Sequence, residues 1–183
     1  QESIFEAFRE AFVARTLQYK VGPKMEEDCD MGPLINEEEA RRVEAWVQEA
    51  LSAGATLECG GRREGATCWP TVLSGGPEGA RVACDEVFGP VVGLYPIQDL
   101  DEGILRSNQV DFGLQAAIFT RDLNQAFRAI EELEAGAVMV NDSTDYRMDA
   151  MPFGGVKQSG LGREGIRFAL QEMTEPKTVC FNL

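Results

Sequence analysis

An α/β fold, with a largely parallel sheet flanked by helices, is what this sequence predicts, and three observations predict it. From Asp99 to Val140 the pattern alternates helix, strand, helix, strand. Leu114–Thr120 reads as a continuous, chiefly apolar strand of the kind found inside a parallel sheet. Of the 183 residues, 44% are apolar and 26% charged, an ordinary globular balance. A chain of this length can bury about 70% of its unfolded surface.

The elements follow in order. Residues 2–20 read as a helix: Ile4, Phe5, Phe8, Ala11 and Phe12 form one stripe, and Ser3 is placed to help cap the start. Val21-Gly22-Pro23 ends it, and a polar loop leads to Met31-Gly32-Pro33. Asn36 then reads as an N-cap, with Glu37, Glu38 and Glu39 in the first turn, where the helix dipole favours anions. Ala40, Val43, Trp46, Val47, Ala50 and Leu51 form the apolar face of this helix, and Gly54 is a natural stop. Thr56–Cys59, Cys68–Leu73 and Pro90–Ile97 read as strands, the last apolar on both faces. Asp99 opens a short helix to about Asn108. Asp122 caps another, with Leu123, Ala126, Phe127, Ile130 and Leu133 inward and Gly136 at its end. Ala137–Val140 is a strand again. Met151–Gly165 is loop-like and holds five glycines, and a short helix from Arg163 to Met173 precedes a β-prone segment, Thr178–Phe181.

Composition excludes several classes of function. A net charge of −14 repels a phosphodiester backbone, so no nucleic-acid partner is expected. Without histidine there is no Ser-His or Cys-His dyad and no imidazole-bound zinc, and no metal site is expected. The five cysteines are odd in number and form no CxxC, which argues against a disulfide scaffold and for a cytoplasmic location. No apolar run reaches the ~18 residues of a membrane span, and no membrane partner is expected. No signal-peptide pattern opens the chain. It begins at Gln1 and its first Met is Met25, which suggests a fragment.

The motifs each admit a plain reading and a functional one. Gly160-x-Gly162-x-x-Gly165 matches GxGxxG, but no apolar strand precedes it and only 18 residues follow, so a packing or active-site loop fits better than a dinucleotide loop. Asp85-Glu86-Val87-Phe88-Gly89-Pro90 sets two carboxylates and an aromatic ahead of a buried strand. It is either a solvated turn with Phe88 in the core, or a carboxylate poised for a diol beside an aromatic wall. Cys29 lies between Asp28 and Asp30, and Cys84 precedes Asp85 and Glu86. Neighbouring anions disfavour their thiolates. Cys59, Cys68 and Cys180 read as core-filling thiols. Arg147 and Lys157 flank Met151–Gly155, either as surface charges or as cations that recognise a carboxylate or phosphate.

Together, Met31-Gly32-Pro33-Leu34-Ile35, Glu86-Val87-Phe88-Gly89-Pro90, Gly113-Leu114-x-Ala116-Ala117, Phe119-Thr120-Arg121-Asp122, Val140-Asn141 and Pro152-Phe153-Gly154-Gly155-Val156-Lys157-x-Ser159-Gly160-x-Gly162-Arg163-Glu164 resemble the C-terminal, catalytic-domain portion of the NAD(P)-dependent aldehyde dehydrogenase superfamily. The resemblance runs from about Ser3 to Cys180. It implies the α/β fold of that catalytic domain, incomplete at the N-terminus, with residues 1–145 as its core and 146–183 as active-site loop, short helix and C-terminal oligomerisation strand. It implies oxidation of an aldehyde to a carboxylic acid with NAD or NADP, through a cysteine thiohemiacetal and thioester. That cysteine, the general-base glutamate and the oxyanion-hole asparagine all lie upstream of this chain in the family. No catalytic residue is therefore assigned here, and the chain alone is expected to be inactive.

By the same resemblance, Glu86 holds the nicotinamide ribose hydroxyls and Phe88 packs near the nicotinamide. Phe153 lines the substrate channel, and Asp145, Tyr146 and Arg147 fall where the family varies its substrate contacts. Asn141 and the glycines of Gly154–Gly162 are expected to be structural. The expected partners are a small-molecule aldehyde and further copies of the chain, as a homodimer or homotetramer joined through the C-terminal strand. The alternative reading is a non-catalytic truncated or pseudoenzyme module of the same fold, used for binding or oligomerisation.

Overall fold

The computed structural model describes residues 1–183, which divide into two compact units, Gln1–Gln98 and Asp99–Leu183. The boundary expected at residue 145 falls inside the second unit.

The first unit opens with α1 (Glu2–Thr16) and α2 (Glu37–Ser52). Asn36 caps α2 as its side chain promises, accepting a hydrogen bond from Glu39 N at 2.8 Å, a contact worth about 1 kcal/mol. Ala40, Val43, Val47 and Ala50, three to four residues apart, form its buried stripe. The strands are β1 (Thr56–Cys59), β2 (Arg63–Glu64), β3 (Thr67–Cys68), β4 (Thr71–Ser74) and, after the single turn α3 (Arg81–Cys84), β5 (Val91–Leu94). The sheet order is β1-β4-β5. β4 and β5 run parallel, and β1 is an antiparallel edge.

Ala40 and Val43 pack with Cys68 of the β2-β3 pair, and Val47 and Ala50 pack with Leu73 of β4. Val91 touches both groups. Leu73 is fully buried, a contribution of about 1.5–3 kcal/mol. The single strand expected over Cys68–Leu73 is split: Trp69-Pro70 interrupts it, because proline has no N–H for the ladder.

α1 departs from its expectation in three ways. It ends at Thr16, where Gln18 N turns back to Arg15 O and Tyr19 N to Thr16 O. Ser3 lies inside the helix and caps nothing; Glu2 N is satisfied by Ile97 O at 2.8 Å. The apolar stripe is also not buried, with Ile4 and Phe8 exposed and Phe5 and Phe12 half-buried.

The second unit holds α4 (Leu100–Asn108), β6 (Phe112–Gly113), β7 (Gln115–Ile118), α5 (Leu123–Glu132), β8 (Ala137–Val140), β9 (Val156–Lys157) and α6 (Ile166–Glu172). The predicted alternation is present, and β7 and β8 pair in parallel from Gln115–Ala137 to Ile118–Val140. Asp99 and Asp122 cap α4 and α5 through their side chains. The α5 face is corrected: Ala126 and Ala129 are buried, whereas Leu123, Phe127 and Ile130 are exposed. The apolar arc is wider than the contact, and its small residues meet the rest of the unit. β7 is likewise only partly buried. α6 is shorter than Arg163–Met173, and Gly165 with φ +123° starts it.

Thr178–Phe181 is exposed and forms no strand pairing within the chain, and Cys180, expected in the core, is exposed with it. No helix is long and apolar enough to cross a membrane.

Candidate functional site

The predicted site residues divide between the units: Glu86 and Phe88 belong to the first, Asp145, Arg147 and Phe153 to the second.

In the first unit the stretch Asp85–Pro90 joins α3 to β5, at the C-terminal side of one element and the entrance of a parallel strand. Asp85 N bonds Arg81 O at 2.8 Å, and Pro90 O accepts from Thr71 N at 2.8 Å. Between these anchors the chain alternates. Val87 turns inward and packs with Ala40, Val43 and Cys68, and its carbonyl accepts a 2.7 Å hydrogen bond from Arg42 Nη2. Glu86 and Phe88 turn outward. Phe88 is 74% exposed and sits at φ +46°, a left-handed conformation that costs a non-glycine residue about 1–3 kcal/mol. Gly89, next in the chain, runs close against α2: a Cβ there would stand 2.8 Å from Val43 Cγ2. Of the two readings of this hexapeptide, the core role falls to Val87 and Phe88 is left as an exposed ring beside an exposed carboxylate.

In the second unit the glycine-rich segment is built on backbone contacts. A Cβ on Gly136 would overlap the Gly154 carbonyl oxygen, so only glycine fits there. Phe153 and Glu164 exchange backbone hydrogen bonds, at 3.0 and 2.6 Å. Arg163 Nη1 bonds the carbonyls of Gly155 and Gly162, and Ser159 Oγ accepts from Gly113 N. Asn141, at φ +59°, closes the other end: its side chain accepts from Thr120 N and donates to Thr120 O, both at 2.9 Å. This part of GxGxxG is a packing loop.

Onto this frame the structure brings Arg147 and Phe153 together. The guanidinium carbon lies 3.4 Å from the Phe153 ring centroid, a cation–π stack. The carboxylate within its reach is Glu164, at a loose 4.0 Å. Asp145 accepts the Ser143 hydroxyl. Lys157 is not part of this cluster. Its ammonium bonds Asn108 O (2.7 Å) and Val110 O (3.1 Å) and pairs with Glu134 at 2.6 Å. It thus closes the C-terminal end of α4, where a cation satisfies free carbonyls.

Burial pushes Cys59 and Cys68 above the ordinary thiol range. Cys29 donates to Met31 O at 3.1 Å and Cys84 to Glu78 O at 2.8 Å. Sequence reasoning missed Arg42, the residue that fixes the Val87 carbonyl. Its signal was faint: one more arginine on a helix rich in charge.

The sequence profile of the aldehyde dehydrogenase family matches residues 1–179. The chain belongs to the aldehyde dehydrogenase family. An aldehyde-dehydrogenase-like protein of Sinorhizobium fredii is 53% identical over 182 residues, covering 100% of this chain and 36% of the relative. Aspartate-semialdehyde dehydrogenase 1 of Pseudomonas canavaninivorans is 48% identical, over 98% of this chain and 38% of the relative. The 3-sulfolactaldehyde dehydrogenase of Priestia megaterium is 45% identical, over 99% and 38%.

Among solved structures, aldehyde dehydrogenase 21 of Physcomitrella patens, in complex with its reaction product succinate, superposes with a TM-score of 0.93 at 44% identity, over 95% of this chain and 36% of that one. The glyceraldehyde-3-phosphate dehydrogenase of Methanocaldococcus jannaschii, complexed with NADP, gives 0.90 at 41%, over 94% and 38%. Betaine aldehyde dehydrogenase of Staphylococcus aureus, in complex with NAD+, gives 0.87 at 35%, over 94% and 35%. This chain therefore spans a little over a third of the length of these aldehyde dehydrogenases, and carries the α/β architecture of that portion.

Proposed function

We propose that the full-length protein carrying this chain oxidises an aldehyde bearing a carboxylate or a similar anion to the corresponding acid, with NAD or NADP as cofactor. The observation that carries the substrate class is Arg147: a guanidinium stacked on Phe153, half exposed, with its nearest carboxylate at 4.0 Å. Such a fork retains free donors for carboxylate, sulfonate or phosphate oxygens. The names of several relatives support the reading, since aspartate semialdehyde, 3-sulfolactaldehyde and the product succinate all carry an anionic group.

The first unit fits a nicotinamide nucleotide. Glu86 presents a solvent-facing carboxylate, an acceptor suited to a ribose diol, beside the flat exposed ring of Phe88. When bound, NAD(P)+ supplies the hydride acceptor. Glu86 would grip the ribose and Phe88 wall the nicotinamide, limiting its drift. Phe153 would shape the aldehyde channel, Arg147 would hold the anionic end, and Asp145 would border that stretch. The attacking cysteine is placed outside this chain, and the 183 residues alone are expected to be inactive. The net reaction takes up water and returns the carboxylate, the reduced cofactor and two protons.

Two substitutions in the full-length protein test the reading. Glu86→Gln replaces a charge-assisted acceptor, worth about 1.5–3 kcal/mol, and should slow hydride transfer in single-turnover kinetics. An unchanged step would remove Glu86 from the site. Arg147→Ala should lower kcat/KM at least tenfold, about 1.4 kcal/mol, for an anionic aldehyde and leave a neutral aldehyde of equal length unaffected. An equal loss for both would make Arg147 a structural residue.

A further inference from the structure

The geometry points to Arg42 as a positioning residue for the cofactor, acting through the segment that carries Glu86 and Phe88; this rests on the assignment of those two residues to the nicotinamide nucleotide. Arg42 is on α2, well away in sequence from that segment, and three contacts fix its guanidinium. Nε bonds Glu39 at 2.7 Å, Nη2 bonds the Val87 carbonyl at 2.7 Å, and the plane lies over the Trp46 ring at 4.6 Å from its centroid. The other contact on Trp46 comes from Arg81, whose guanidinium carbon is 5.0 Å from the centroid and whose nitrogens pair with Glu49.

Trp46 thus stands between two arginines. One bonds the carbonyl just before Phe88, and the other opens α3, the turn that leads into Asp85. The segment needs such a hold. Phe88 is left-handed without being glycine, and a conformation of that kind persists only where the surroundings over-determine it. The Val87 side chain fixes one direction by packing with Val43 and Cys68. Arg42 fixes the other by holding the carbonyl, and so sets the orientation of the peptide joining Val87 to Phe88. With that peptide fixed, Glu86 and Phe88 point to solvent on either side of an inward Val87. If it rotates, their relative direction is lost, though neither residue has changed.

The test is made on the full-length protein. Arg42→Met keeps the aliphatic cover of Trp46 and removes the fork. It should raise the KM for the cofactor at least fivefold and slow single-turnover hydride transfer, with the KM for the aldehyde unchanged. Arg42→Lys keeps charge and one donor and should recover part of both losses; it also serves if the methionine variant does not fold. Unchanged cofactor KM and hydride rate in either folded variant would overturn the proposal. So would an equal rise in both KM values, the mark of a general structural defect. Glu86→Gln measured alongside separates the two ideas. If it slows hydride transfer and the Arg42 variants do not, the positioning role fails and the cofactor site stands. If it has no effect while the Arg42 variants raise cofactor KM, Glu86 leaves the site and Arg42 acts through Phe88.

Discussion

Glu58 shows how one carboxylate can tie a helix to a sheet. Its oxygens accept the Ser74 hydroxyl and, at 2.7 Å, Arg9 Nη1 from α1, while Arg9 also pairs with Glu6. The Glu58 side chain is only 11% exposed, and the Ser74 hydrogen bond, with Arg9 behind it, holds its pKa below the ordinary glutamate value. A carboxyl with a depressed folded pKa contributes stability above its unfolded pKa of about 4.3, and that stability is lost as pH falls through the lower folded value. Thermal midpoints of the full-length protein and of Glu58→Gln should therefore differ at pH 7 and converge as the pH is taken from 5 down to 3. A gap that stays constant with pH would mean that the charge of Glu58 contributes nothing. No sequence pattern marked this residue: Glu58 and Ser74 become neighbours only through the antiparallel pairing of β1 and β4. Asn36, Asp99 and Asp122 were legible because a cap acts on backbone two or three residues away.

Among the elements, what the sequence disclosed was periodicity, and what it hid was the partner of each face. The stripe Ala40, Val43, Val47, Ala50 of α2 was readable and is buried. The stripes of α1 and α5 were just as readable, yet Ile4, Phe8, Leu123, Phe127 and Ile130 are exposed. Helical spacing reports that residues share a face. It does not report whether this stretch of chain supplies the surface that covers it. The hexapeptide Asp85–Pro90 failed differently: composition left Phe88 with a choice of core or solvent, and the tie was broken by Val87 packing inward and Arg42 holding its carbonyl. Lys157 was read as a possible anion-binding cation because of its glycine neighbours, but the free carbonyls at the end of α4 claim it first.

For the molecule as a whole, the tail is the segment with most left to explain. Thr178–Phe181 is β-prone and unpaired within the chain, with Val179 and Phe181 exposed. An open edge of this kind is a template for pairing with another copy. Deleting Lys177–Leu183 from the full-length protein should lower its sedimenting mass to a smaller oligomer or a monomer; an unchanged mass would show that the tail packs on its own subunit.

The stretch from Asn141 to Ala150 has a different significance. Every residue in it is exposed; Asn141 ties its start to Ile118 and Thr120, and Arg147 stacks on Phe153 further along. Replacing a residue in such a stretch generally alters folding stability by no more than about 0.5 kcal/mol. If Arg147 selects the substrate, the choice of aldehyde is written where mutation is nearly neutral to folding. If Glu86 and Phe88 hold the cofactor, that grip hangs on a segment fastened where Val87, Val43 and Arg42 interlock, and there a change of side chain is felt. Descendants of this protein can then drift to new substrates through a few changes in the open loop, while the packed core beneath Glu86 and Phe88 stays fixed.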